Sequence, residues 1–207
     1  MREYLIALIF LTSFLQIRAK YINSKKQEYV FKHLTTSLII LVSYLGVNSN
    51  YRNLIILAMI FSLIGDILLI LDKSKFIYGL LSFLIAHLIY IFAFTHQVNF
   101  RLPYYIFLPF ILYGILIYKF LENNLGKLKI AVVVYIFSIL IMGLTAINRY
   151  YIYANNFNLL LVIGALLFII SDSVIAINKF RSKFNSAEFI ILSSYYLAQL
   201  LIAFSIP

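Results

Sequence analysis

Two aspartates, Asp66 and Asp172, lie inside long apolar runs of the chain. An Asp at the centre of a membrane helix is disfavoured by about 2.5–3.5 kcal/mol on insertion scales, so its presence there asks for a reason. Two carboxyl groups that share an apolar site can divide roles, one keeping its proton as a general acid while the other stays ionised as a base. The same pair could instead carry protons in a small-molecule transporter. It could also only fasten helices through hydrogen bonds in a non-enzymatic lipid-binding protein.

Further polar side chains project from other apolar runs and are candidates for binding substrate or supporting the pair: Lys32, His87, Tyr90, Ser171, Tyr195 and Gln199. Lys32 can reach a phosphate or snorkel to the interface. His87 and Gln199 can serve the pair or hydrogen-bond between helices. Ser171 and Gly65, each just before an aspartate, are small enough to let helices approach closely. With no cysteine and three histidines, of which only His87 is deep in a run, a three-histidine metal site is not available. No metal or cofactor is expected.

The elements that must position these residues are membrane helices. The 207 residues are 64% hydrophobic and 12% charged, with a mean hydropathy of +0.99, outside the range of soluble domains. Apolar runs at 3–18, 30–48, 53–71, 76–97, 103–121, 129–148, 157–178 and 187–206 predict an all-α polytopic bundle of eight transmembrane helices. Connections are short, so 1–207 reads as a single integral membrane domain. Asp66 falls about five residues and Asp172 about six from the same end of their helices, a depth of roughly 8–9 Å at 1.5 Å per residue.

The net charge of +10 is distributed in short clusters, with no basic groove that would serve nucleic acid. Alternating the connections collects Arg18, Lys20, Lys25, Lys26, Lys32, Lys73, Lys75, Lys119, Lys127, Lys129, Lys179, Arg181 and Lys183 on one side, 13 of the 17 basic residues, against Arg2, Arg52, Arg101 and Arg149 on the other. The positive-inside rule makes the first side cytoplasmic and puts both termini outside, in a bacterial inner membrane. Trp is absent, so Tyr21, Tyr29, Tyr51, Tyr104, Tyr105, Tyr150, Tyr151 and Tyr153 are expected to form the interfacial belt.

Ile64-Gly65-Asp66 aligns with Ile170-Ser171-Asp172, and Phe83 to Leu88 with Tyr195 to Leu200. This reads either as a parallel four-plus-four repeat or as a chance match in apolar sequence.

The strings Phe61-Ser62-Leu63-Ile64-Gly65-Asp66-Ile67-Leu68-Leu69, Ala86-His87-Leu88-Ile89-Tyr90, Gly164 to Asp172 and Tyr195-Tyr196-Leu197-Ala198-Gln199-Leu200-Leu201, with Tyr135 and Met142 between them, together resemble the YhhN/TMEM86 family, which contains the lysoplasmalogenases. His33 stands where family members often have proline. The resemblance implies an eight-helix hydrolase that cleaves the vinyl ether bond of lysoplasmalogen to a fatty aldehyde and a glycerophospho-ethanolamine or -choline. It also maps the motif aspartates onto Asp66 and Asp172. A lysophospholipid substrate and the membrane lipid are then the expected partners, with the oligomeric state left open.

Overall fold

A computed structural model describes residues 2–71 and 75–207; Lys73 of the charge pattern lies outside them. The described residues form eight α-helices: α1 (Arg2–Tyr21), α2 (Lys25–Tyr44), α3 (Asn50–Leu71), α4 (Phe76–Thr95), α5 (Phe107–Leu121), α6 (Lys129–Ile152), α7 (Asn156–Phe180) and α8 (Ala187–Phe204). Successive helices run in opposite directions, so the C-terminal ends of α1, α3, α5 and α7 gather with the N-terminal ends of α2, α4, α6 and α8 at one end of the bundle, the basic end.

Seven helices are long and apolar enough to cross a membrane. The exception is α2, which begins five residues earlier than its apolar run because Lys25, Lys26, Gln27 and Glu28 continue the helix into polar sequence. Glu28 suits that first turn, where the helix dipole favours a negative charge. At the other extreme, α7 runs on past the predicted end at 178 to Phe180.

Helices α2, α3, α4, α6, α7 and α8 close into a ring, each touching the next and α8 returning to α2. Outside the ring, α1 packs on α2 and α8, and α5 packs on α6 and α7. Advancing the labels by four carries the pairs α1–α2, α2–α3, α3–α4 and α4–α6 onto α5–α6, α6–α7, α7–α8 and α8–α2, all of which are present. The outer contacts α1–α8 and α5–α7 do not map onto each other.

Large apolar side chains such as Phe14, Leu88, Phe92, Leu116 and Phe137 face outward, while Gln16, Thr36, Asp66, His87, Asn148, Asp172 and Gln199 are buried. That is the reverse of a water-soluble domain. In lipid, helices associate by close packing and interhelical hydrogen bonds rather than by removing apolar surface from water. Gly164 shows the packing term, since a Cβ there would meet the backbone carbonyl of Ala198 at 2.9 Å. Hydrogen bonds from Ser82 to the Phe61 carbonyl (2.6 Å) and from Ser171 to the Ile191 carbonyl (3.1 Å) tie α4 to α3 and α7 to α8.

Tyr51 departs from the expected belt. It is buried, its hydroxyl 2.7 Å from that of Ser205, and the Arg149 guanidinium lies over its ring at 4.4 Å. Other members of the expected belt, Tyr21, Tyr29, Tyr104, Tyr105, Tyr151 and Tyr153, are exposed.

Candidate active site

Lys32 and Thr36 are four residues apart on α2 and therefore share one helix face. That face meets α3 at Asp66. Lys32 Nζ lies 3.0 Å from Asp66 Oδ1, and the Thr36 hydroxyl lies 3.3 Å from Oδ2. Across the ring, Tyr195 on α8 donates to the same Oδ2 at 2.8 Å. Asp66 is 2% exposed, so its charge is met by an ammonium and by hydroxyl donors rather than by water.

A relay stands behind Tyr195. The Tyr90 hydroxyl donates to Gln199 Oε1 at 3.1 Å, and Gln199 Nε2 donates to the Tyr195 oxygen at 3.3 Å. Each hydroxyl hydrogen is thereby directed toward Asp66, which orients Tyr195 as a donor. Three of the candidates named from sequence, on α4 and α8, act on one carboxylate through this chain.

Asp172 on α7 is held differently. The Tyr135 hydroxyl, from α6, donates to its Oδ2 at 2.5 Å. His87 Nε2, from α4, approaches the same oxygen at 3.6 Å, beyond hydrogen-bond length. The imidazole is fully buried, neither ring nitrogen has a hydrogen-bond partner, and it packs edge-on against Tyr135 and Phe168. Among the described residues no lysine or arginine pairs with Asp172.

Each aspartate is therefore held by a helix from either side: α2 and α8 for Asp66, α6 and α4 for Asp172. The four-helix shift relates these two arrangements, and each carboxyl group receives a phenol, yet the other partners differ, with a cation at Asp66 and an imidazole at Asp172. Ser171, a candidate from sequence, is turned to the backbone of α8 instead of the pair. Thr36 was not identifiable as a site residue in the sequence, although its spacing from Lys32 is the signal.

Two cavities adjoin the pair. An apolar slot of about 60 Å³ runs between α4, α5, α6 and α7, walled by Phe83, Ile117, Ile136, Ile139 and Ala176, with Asp172 and Tyr135 in its lining. A polar vestibule of about 360 Å³ opens at the basic end and includes Lys32 in its wall. Leu69, Phe76 and Ile175 belong to both walls.

Residues 27–206 match the sequence profile of the YhhN family. The chain belongs to that family. Like its seven apolar helices, this makes it an integral membrane protein. The YhhN-family chain is 38% identical to the lysoplasmalogenase TMEM86A of Bos taurus over 157 residues, 73% of this chain and 64% of that protein. It is 35% identical to the Homo sapiens protein of the same name over 158 residues, with the same coverage. The match thus spans slightly less than two thirds of these relatives. The uncharacterized membrane protein YhhN of Escherichia coli O157:H7 is 25% identical over 199 residues, 96% of both chains. No solved structure matches the chain.

Proposed function

We propose that this protein is an intramembrane hydrolase of the lysoplasmalogenase type, in which Asp172 is the general acid and Asp66 the fixed anion of one active site. The observation that carries the assignment is the unequal surroundings of the pair. Asp66 has a lysine at 3.0 Å to offset a negative charge, whereas Asp172 lines an apolar slot with a phenol and an imidazole beside it. A buried carboxyl group without a cation is less costly when neutral. Tyr135 occupies Oδ2 of Asp172, which leaves Oδ1 to carry the proton.

In the reaction, Asp172 gives its proton to the alkenyl carbon β to the ether oxygen, and the electrons of the double bond form the new C–H bond. The resulting oxocarbenium ion is stabilised by the nearby carboxylates. Water adds to the cationic carbon and yields a proton to a carboxylate, giving a hemiacetal. Its C–O bond then breaks, the glycerol oxygen takes up a proton, and fatty aldehyde and alcohol are released. One water is consumed and the acid is regenerated.

The two cavities support a lysophospholipid as substrate. Its headgroup would occupy the vestibule, the reacting end of its chain would enter the slot beside Asp172, and the rest of the chain would lie in the bilayer. The excess of basic residues at that end supports a vestibule open to the cytoplasm, with both termini outside, which fits a bacterial inner membrane.

The test is to incubate purified protein in detergent with a lysoplasmalogen and with its ester-linked counterpart, and to assay aldehyde and fatty acid. Aldehyde from the vinyl ether substrate, without fatty acid from the ester, is the expected result. Fatty acid from the ester, or no aldehyde at all, would overturn the proposal.

A further inference from the structure

The vestibule contains more chemistry than the cleavage step uses, and its charged residues fall in two groups, one on α1, α2 and α8 and one at the end of α7. On one side, Lys20 of α1 lies 2.8 Å from Glu28 of α2 and 3.8 Å from Glu188 of α8. One lysine serving two carboxylates leaves that side net negative, with acceptor lone pairs to spare. Behind it, Gln16 on α1 is 1% exposed and lines the cavity, and its Oε1 has no hydrogen-bond partner. A buried carbonyl oxygen without a donor asks for one to arrive.

On the other side are Lys179, in the last turn of α7, and Lys183 just beyond it. Both are exposed, and neither forms an ion pair among the described residues. Lys179 Nζ rests over the Phe76 ring at 4.5 Å, beside the wall shared with the slot. Lys32 also borders the cavity but is committed to Asp66. An anion entering here is met by Lys179 and Lys183, and a cation by the glutamates and Gln16.

We infer that the vestibule selects a phosphoethanolamine headgroup over phosphocholine, seating the phosphate against Lys179 and Lys183 and the primary ammonium against Glu188, Glu28 and Gln16 Oε1. A primary ammonium has three N–H donors for these acceptors. A quaternary ammonium has none and is recognised by clustered aromatic faces. Among the described residues the vestibule's one aromatic wall residue, Phe76, is already covered by Lys179. The inference rests on the lysolipid reading for its orientation, the headgroup lying outward of Asp172.

The experiment measures equilibrium binding of radiolabelled ester-linked lysophosphatidylethanolamine and lysophosphatidylcholine to purified wild type, Glu188→Gln and Lys183→Ala, beside kcat/KM for aldehyde release from the two vinyl ether analogues. Glu188→Gln keeps the shape and leaves the closer Lys20–Glu28 pair intact, so folding is preserved. Wild type should favour ethanolamine about ten-fold, the worth of one charge-assisted hydrogen bond. Glu188→Gln should bring that ratio toward one, and Lys183→Ala should weaken both headgroups alike. Equal affinities in wild type, binding of neither lipid, or an unchanged ratio in Glu188→Gln would overturn the inference. The ester lipids carry the headgroup without the vinyl ether, so the two proposals fail separately. Selective binding without aldehyde release would sink the hydrolase reading alone, and unselective aldehyde release would sink the headgroup reading alone.

Discussion

Lys32 and Asp66 meet at 3.0 Å with only 13% and 2% of their side chains exposed, so the charge of each depends on the other. Breaking such a buried pair from one side leaves an uncompensated charge, at a cost of about 3–5 kcal/mol. Lys32→Met should destabilise the fold by an amount near the bottom of that range, read as a lower thermal midpoint in detergent. The double variant Lys32→Met/Asp66→Asn should recover much of the loss. A double variant no more stable than Lys32→Met would remove the coupling on which the role of Lys32 rests.

Asp172→Asn keeps the volume of the side chain and its contact with Tyr135 but cannot donate an acidic proton. Aldehyde release should fall by at least ~100-fold, the usual contribution of a positioned general acid, with the thermal midpoint held. Turnover near that of wild type would reassign the acid.

The same role fixes a sign for pH dependence. Asp172 must hold its proton to act, so kcat should be highest where it is protonated and decline as pH rises through its titration. A kcat that instead increases with pH across that limb would fit a carboxylate acting first as a base. Comparing the wild-type profile with that of Asp172→Glu, which moves the group but keeps its chemistry, assigns the limb.

Tyr135→Phe and Tyr195→Phe each remove one hydrogen bond from a carboxylate, 2.5 Å from Asp172 and 2.8 Å from Asp66. A hydrogen bond to a charged group contributes roughly 1.5–3 kcal/mol, so Tyr195→Phe should cost stability as well as rate. Tyr90→Phe, three hydrogen bonds removed from Asp66, should have a smaller effect on kcat than Tyr195→Phe. Kinetics and thermal melts on the three variants test the relay, and an equal or larger effect from Tyr90 would contradict its order.

Gly164→Ala places a methyl group 2.9 Å from the Ala198 carbonyl and 3.2 Å from the Ile202 amide nitrogen. Backbone cannot rotate away as a side chain can, so α7 and α8 must separate. A loss of about 1–3 kcal/mol is expected from such overpacking, read as a lower thermal midpoint. Gly126→Ala is the useful contrast: no atom lies within 4 Å of its added carbon, and its φ of +52° makes any loss there one of backbone strain instead of packing.

The helices were legible because a membrane demands long apolar runs, and the runs survive without tertiary information. The start of α2 was not, since Lys25 to Glu28 are polar and lie outside the apolar run, although such residues are good helix formers. Asp66 and Asp172 stood out through the cost of burying them, but their partners lie on other helices and no spacing connects Asp66 to Tyr195, 129 positions away. Tyr51 and Ser171 illustrate the converse error. A tyrosine near a helix end resembles a belt residue until Arg149 is found stacked on it, and a serine beside an aspartate resembles a site residue until it is found bound to a neighbouring backbone. Position along a helix gives depth, whereas the direction a side chain faces depends on which helices surround it.

Leu69, Phe76 and Ile175 separate a wet chamber from a dry one by the thickness of single side chains. A lipid severed beside that partition yields fragments that belong in different phases. If the protein acts as proposed, the phosphorylated fragment would dissolve from the vestibule into water, and the aldehyde would remain with the acyl chains of the bilayer. Each product is diluted by its own solvent, and neither lingers to compete with the next substrate. Partition between two media would then draw the reaction forward without any conformational device for expelling what has been made.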